Sequence, residues 1–162
     1  MGRNYVVDDQ AGMVMPNAAF AGLMAAVLAK GAPFRFQAHG FSMAPFIRPG
    51  DTLTLVPARP RLGLGEVVAF TLAKGPQLAV HRVVARQRAG YLIQGDNALE
   101  PDGCIPRSAI LGRVVRVERD GRPVWAGLGL ERIIIAWLSR RGWLAPGVAL
   151  VRRLRRLGRG QP

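Results

Sequence analysis

The sequence predicts a mainly β domain, preceded by a short helix and followed by a basic, apolar tail that forms an amphipathic helix. The chain has 162 residues, which suits one domain, and 49% of them are hydrophobic, which is enough for a core. Its 20 glycines and 12 prolines require frequent turns and favour short strands over long helices. Short runs of alternating apolar and polar residues recur along most of the chain.

The N-terminal part, residues 1–32, is interpreted as an extension with one short helix. Residues 1–10 show no strong pattern, so we expect them to be loosely held. Asn17 is a suitable N-cap, and apolar residues then recur at steps of three and four as far as Leu28. Gly31 and Pro33 end the helix, because neither residue type continues one.

The central part, residues 33–127, carries the strand signals and is interpreted as the β-domain. A loop over 40–50 separates the first two strands, and Gly95-Asp96-Asn97 and Asp120-Gly121 are strong turn sequences. The predicted strands are 33–39, 51–56, 66–72, 78–85, 91–94, 110–117 and 123–126.

The C-terminal part, residues 128–162, changes in character. Residues 131–162 contain eight arginines and one glutamate among Ile, Leu, Val and Trp residues. Such a segment suits the plane of an anionic membrane surface, so residues 131–157 are a candidate for peripheral membrane contact. A helix that packs its apolar side on the β-domain explains the pattern equally well.

Charge and cysteine content limit the environment of the protein. The formal net charge is +13, and scattered arginines supply most of it, which a GC-rich genome explains as well as a phosphate or membrane partner does. Cys104 is the sole cysteine, so no intrachain disulfide forms. No cleavable signal peptide is evident, and the apolar stretch 18–29 is shorter than the roughly 20 residues of a membrane span. We therefore expect a membrane-associated or cytoplasmic protein.

Ser42 and His81 are the candidate nucleophile and general base. Ser42 follows Gly40 and precedes Pro45, a sequence that favours a tight bend from which the hydroxyl projects and the Ser42 backbone N–H can donate to an oxyanion. A histidine accepts a hydroxyl proton near neutral pH. His39 is the rival base, but a residue so close to Ser42 in extended chain usually points elsewhere.

The residues alone leave the partner carboxylate open between Asp96 and Asp102. Either could hold the tautomer of a base histidine, and either also suits an ordinary turn. Cys104 as a nucleophile and Lys74 as a base are weaker alternatives, since neither lies in surroundings that would lower its pKa. No phosphate-binding glycine loop and no metal-ligand cluster is found, so we expect no cofactor and no metal.

Three segments in order resemble the S24/S26 peptidase superfamily, and signal peptidase I most closely. Residues 40–53 resemble the nucleophile box, residues 65–70 the strand that follows it, and residues 80–84 with 95–102 the base and acid boxes. The resemblance covers roughly residues 34–117. Histidine at position 81 is similar to the archaeal and endoplasmic-reticulum type, which uses a Ser-His-Asp triad rather than lysine.

The resemblance implies a signal-peptidase or LexA-like β-domain and a serine endopeptidase that cleaves a signal or leader peptide. It implies Ser42, His81 and Asp102 as catalytic residues, with Asp96, Gly40 and Met43 in support. It implies that the binding partner is a peptide or protein substrate and that nucleic acid is an unlikely partner. Two alternatives remain: a catalytically inactive module of the same fold that binds membrane or nucleic acid, and a self-cleaving relative of the LexA type.

Overall fold

The computed structural model describes residues 5–7, 17–72 and 77–141. Within these residues one sheet of nine strands dominates, so the prediction of a mainly β domain is confirmed. The order of strands across the sheet is β1-β2-β3-β8-β4-β5-β6-β7, and β9 pairs with β8. The strands are β1 (Tyr5–Val7), β2 (Phe34–Gln37), β3 (Thr52–Pro57), β4 (Val67–Thr71), β5 (Leu78–Gln87), β6 (Gly90–Gln94), β7 (Gly103–Ile105), β8 (Ile110–Arg119) and β9 (Arg122–Pro123).

Two helices accompany the sheet. Helix α1 (Asn17–Ala29) begins at the residue predicted to cap it and buries Met24, Val27 and Leu28 against the sheet. Helix α2 (Arg132–Arg140) lies in the predicted tail and packs on β5. A single turn of 3-10 helix, Arg107–Ala109, precedes β8.

All the central strands pair in antiparallel fashion, and alternation decides which side chains enter the core. In β3, for example, Leu53 and Leu55 are fully buried while Thr52 and Thr54 are half-buried. One apolar cluster forms between α1 and strands β2, β3 and β8, and a second forms between β4, β5, β6 and β7. The buried strand β4 passes between the two clusters, which makes them parts of one domain.

Two strands are missing from the sequence interpretation. Tyr5–Val7 was expected to be loosely held, but it forms β1 and pairs in parallel with β2, so that expectation is wrong for these three residues. Gly103–Ile105 forms β7 and pairs with β6. Both strands are three residues long, too short to show alternation, and both gain their order from the neighbouring strand.

Candidate active site

The loop that carries Ser42, residues 38–51, links β2 to β3 and is closed at its base by backbone hydrogen bonds. We call it the nucleophile loop, after the role predicted for Ser42. The Ala38 N–H donates to the Asp51 carbonyl (2.8 Å), and the Gly50 N–H donates to the Ala38 carbonyl (2.9 Å). Gly40 has a φ of +80°, which side-chain-bearing residues rarely adopt, so the reversal before Ser42 depends on glycine. Met43 is buried just after the serine, while Ser42 itself is exposed. The loop is thus anchored in the core and presents the hydroxyl outward.

Ser42, His81 and Asp102 lie together, although they come from a loop, strand β5 and the segment before β7. His81 Nε2 lies 2.9 Å from Ser42 Oγ, and His81 Nδ1 lies 2.6 Å from Asp102 Oδ2. The side chains of His81 and Asp102 are 13% and 21% exposed, so solvent and a bound chain can reach the site. Both distances are short enough for hydrogen bonds, so each ring nitrogen of His81 has a hydrogen-bond partner.

The donor and acceptor roles follow from the carboxylate. An ionised Asp102 can only accept, so His81 Nδ1 carries the proton toward it. His81 Nε2 is then the acceptor that faces the Ser42 hydroxyl. The arrangement can withdraw a proton from the serine and return it to a leaving group.

The structure separates the two candidate aspartates. The backbone N–H of Asp102 donates to the Ile93 carbonyl (2.9 Å), which fixes the segment between β6 and β7 at the imidazole. Asp96, by contrast, is 1% exposed and bonds to Arg82 through two contacts of 2.7 Å. Asp102 is therefore the carboxylate at His81, and Asp96 supports the site through another residue.

Arg82 is the residue that the sequence interpretation did not assign. It follows His81 in β5, is fully buried, and also donates to the carbonyls of Gly65 (2.9 Å) and Gly127 (2.7 Å). A buried guanidinium requires such partners, and Asp96 neutralises its charge. The sequence signal that could have identified it is an arginine on the same face of the strand as Val80 and Val84.

The turn at residues 95–97 holds the nucleophile loop in place. The Asn97 N–H donates to the Ser42 carbonyl (2.7 Å), and Asn97 Nδ2 donates to the Phe41 carbonyl (3.3 Å). A Cβ added at Gly95 would lie 2.8 Å from the Ser42 carbonyl oxygen and 3.2 Å from His81 Nε2. Glycine is therefore needed here for the close approach of two segments, which a turn signal alone does not reveal.

Asp51 anchors the other end of the nucleophile loop. It is 1% exposed, accepts from the Arg48 N–H (2.8 Å), and pairs with Arg119 through contacts of 2.8 and 2.7 Å. The hydrogen bond to Asp51 raises the pKa of Arg119 above its ordinary value. Arg119 also donates to the Phe46 carbonyl (3.3 Å), so one guanidinium fixes both the loop and its return to β3.

Helix α2 and the segment before it cover the buried Asp96–Arg82 pair. Ser139 is 2% exposed, and its Oγ lies 3.4 Å from Asp96 Oδ1. At the start of the helix, the Glu131 carboxylate accepts from the Gly127 N–H (2.8 Å) and the Gly129 N–H (3.1 Å). Hydrogen bonds from backbone N–H groups, its own first and then that of Gly127, lower the pKa of Glu131. Through these contacts the tail helix is connected to Arg82, the residue that follows His81 in β5.

The rival residues take other places. His39 is exposed at the start of the nucleophile loop, and Cys104 is exposed in β7; neither is the hydrogen-bond partner of Ser42 Oγ, which is His81. Lys74 and the part of the tail beyond residue 141 lie outside the described residues.

No helix among the described residues is long and apolar enough to cross a membrane. No protein-family model matches this chain, and no curated protein matches it.

Proposed function

We propose that this chain is a serine endopeptidase that cleaves a signal or leader peptide through an acyl-enzyme. The observation that carries the proposal is the hydrogen-bonded series from Ser42 Oγ to His81 Nε2 (2.9 Å) and from His81 Nδ1 to Asp102 Oδ2 (2.6 Å). The ordered resemblance to the S24/S26 superfamily supports the same reaction. A buried structural triad would not need an exposed hydroxyl, whereas a nucleophile does.

The reaction begins when His81 Nε2 accepts the proton of the Ser42 hydroxyl as Oγ attacks the peptide carbonyl. Asp102 stabilises the imidazolium that forms, and the Ser42 backbone N–H donates to the developing oxyanion. His81 then returns the proton to the leaving amine. Water hydrolyses the acyl-enzyme with His81 again as the base, which restores the free serine.

The substrate is expected to be extended beside the site. An extended peptide can add to strand edges through main-chain hydrogen bonds, and side-chain pockets then select its sequence. The resemblance to signal peptidase I implies small residues next to the cleaved bond.

The proposal is tested with a serine-directed acylating probe and intact-mass measurement. We expect one label per chain, absent in Ser42→Ala, and lowered by at least about a thousandfold in rate in His81→Ala. Ser108→Ala, which alters another exposed serine, is the matched control and should label normally. Labelling that persists in Ser42→Ala, or a folded protein that never reacts, would favour the inactive-module alternative.

We further propose that α2 brings the protein to an anionic membrane surface. Its inner face buries Ile135, Ala136 and Ser139, while Ile133 and Ile134 are 52% and 63% exposed. Exposed isoleucines beside Arg140 suit the interface of an anionic bilayer.

Flotation with vesicles that contain phosphatidylserine tests the membrane proposal. We expect Ile133→Ser/Ile134→Ser to lower the bound fraction, while Val115→Ser, at a 39% exposed position of β8, leaves it unchanged. Equal flotation of the wild type and the double variant would rule out this face of α2.

A further inference from the structure

A basic pocket lies at the far end of the β5–β6 hairpin from the candidate active site. It has a volume of about 390 Å³. His81 precedes Arg86 by five residues in β5, which separates the pocket from the imidazole by roughly 16 Å along the strand. Four arginines line the pocket and no carboxylate does: Arg61, Arg86, Arg88 and Arg107.

Two of these arginines are held by the protein backbone. Arg86 Nε donates to the Leu62 carbonyl (2.8 Å), which leaves its two terminal nitrogens without a partner among the described residues. Arg107 is fixed more fully, by bonds to three carbonyl oxygens. These belong to Ala58 (2.7 Å), Arg59 (3.1 Å) and Ile110 (3.0 Å). All these acceptors are neutral, so neither positive charge is compensated.

The walls of the pocket are themselves held together. The Leu62 N–H donates to the Tyr91 hydroxyl (3.1 Å), which joins the segment of Arg61 to β6. A Cβ at Gly90 would lie 2.2 Å from the Ile105 carbonyl oxygen, so the hairpin packs closely against the segment that leads to Arg107. Arg86 and Arg88 belong to one hairpin, and tertiary contacts between three segments of chain bring Arg61 and Arg107 to them.

The remaining two arginines are available for a ligand. Within the described part of the chain, no hydrogen bond or ion pair holds Arg61 or the exposed Arg88. Four like charges around one cavity repel each other unless an anion lies between them. Guanidinium groups match the oxygens of phosphate in a bidentate geometry, and lysine, which forms only point contacts, is absent from the lining.

We propose that this pocket binds a phosphate group, a function independent of peptide cleavage at Ser42. Arg86 and Arg107 supply a fixed positive field, and Arg61 and Arg88 close on the phosphate oxygens. A soluble phosphate ester and a lipid headgroup both present this chemistry, and the volume admits more than the bare ion.

The test compares two double variants that each remove two positive charges. Arg61→Gln/Arg88→Gln alters the two pocket arginines that hold no structural bond, and Lys30→Gln/Arg122→Gln alters two exposed basic residues elsewhere. Calorimetric titration with inorganic phosphate at constant ionic strength gives the affinity of each protein. We expect saturable one-site binding, weakened at least about tenfold in the pocket variant and unchanged in the other.

Absence of saturable binding, or equal weakening in both variants, would overturn the proposal, because the latter would indicate attraction by net charge alone. A second titration uses vesicles with and without phosphatidic acid. Vesicle binding that depends on phosphatidic acid and on the pocket arginines would assign a lipid headgroup as the source. Binding of free phosphate only would assign a soluble ester.

Discussion

His81 and Arg82 are neighbours in β5, and their side chains leave opposite faces of the strand. His81 faces the exposed Ser42, whereas Arg82 is fully buried and holds Asp96. The two residues therefore pair with different carboxylates, Asp102 with His81 and Asp96 with Arg82. In the proposed mechanism Asp102 acts on the charge and tautomer of His81, whereas Asp96 balances a buried guanidinium.

Asn substitution of the two aspartates separates these tasks. In Asp102→Asn we expect the turnover number to fall by about a thousandfold or more, since the wrong tautomer is favoured, with a loss of stability below about 1 kcal/mol. In Asp96→Asn we expect a loss of about 3 kcal/mol or more, because Arg82 remains buried with its charge uncompensated. Acylation kinetics and urea denaturation measure the two effects. Similar behaviour of both variants would contradict this division.

Gly95 permits the contact between the turn and the nucleophile loop. In Gly95→Ala the new Cβ meets the Ser42 carbonyl at 2.8 Å, so the serine must shift from the imidazole. A displacement of this kind should lower the acylation rate about a hundredfold. The control is Gly22→Ala in α1, where no atom lies within 4 Å of the added Cβ. It should stabilise the protein by up to about 1 kcal/mol and leave the rate unchanged. A full acylation rate in Gly95→Ala would disprove the steric argument.

Among the elements, α2 combines two surfaces in nine residues. One face is buried against β5 near the Asp96–Arg82 pair, and the other exposes isoleucines. The sequence left packing and membrane contact as equal explanations for the tail. The structure assigns packing to Ile135, Ala136 and Ser139, while the exposed face keeps the membrane proposal open to experiment.

Adjacent isoleucines in α2 give a direct test of the packing. Ile135→Ala removes a 5% exposed side chain and should cost about 2–4 kcal/mol, since a cavity remains where the side chain was. Ile134→Ala alters a 63% exposed side chain and should change stability by no more than about 0.5 kcal/mol. Equal midpoints of urea unfolding in the two variants would show that α2 does not pack as described.

At the scale of the whole molecule, the sheet brings distant segments to one place. Ser42 and His81 are 39 residues apart in sequence, and His81 and Asp102 are 21 apart. Gly127 and Ser139 then cover the buried Asp96–Arg82 pair, which lies next to His81. The segment from 125 to 140 therefore contacts the residues that support the candidate active site.

Removal of α2 by truncation should lower both the stability of the protein and the acylation rate at Ser42. We expect a chain that ends at residue 127 to be at least about 2 kcal/mol less stable than one that ends at residue 141, because it exposes the apolar surface under α2. Its acylation rate should also fall, since Arg82 and Asp96 lose their cover. Denaturation and probe labelling of the two chains measure both effects. Equal stability and equal rates would show that α2 is dispensable for the site.

The sequence by itself determined the mainly β fold, most strand positions, the first helix and the turn at 95–97. These features depend on side-chain alternation and on backbone preferences of Gly, Pro and Asn, which act over a few residues. The residues alone left Asp96 and Asp102 open, and the family resemblance favoured Asp102, whose Oδ2 the tertiary structure places 2.6 Å from His81 Nδ1. Only the tertiary structure decided that Arg82 is buried beneath the site. It also decided that Tyr5–Val7 and Gly103–Ile105 form the strands β1 and β7. The physical reason is that such contacts join segments tens of residues apart, so their energies depend on strand register and packing, which no local pattern contains.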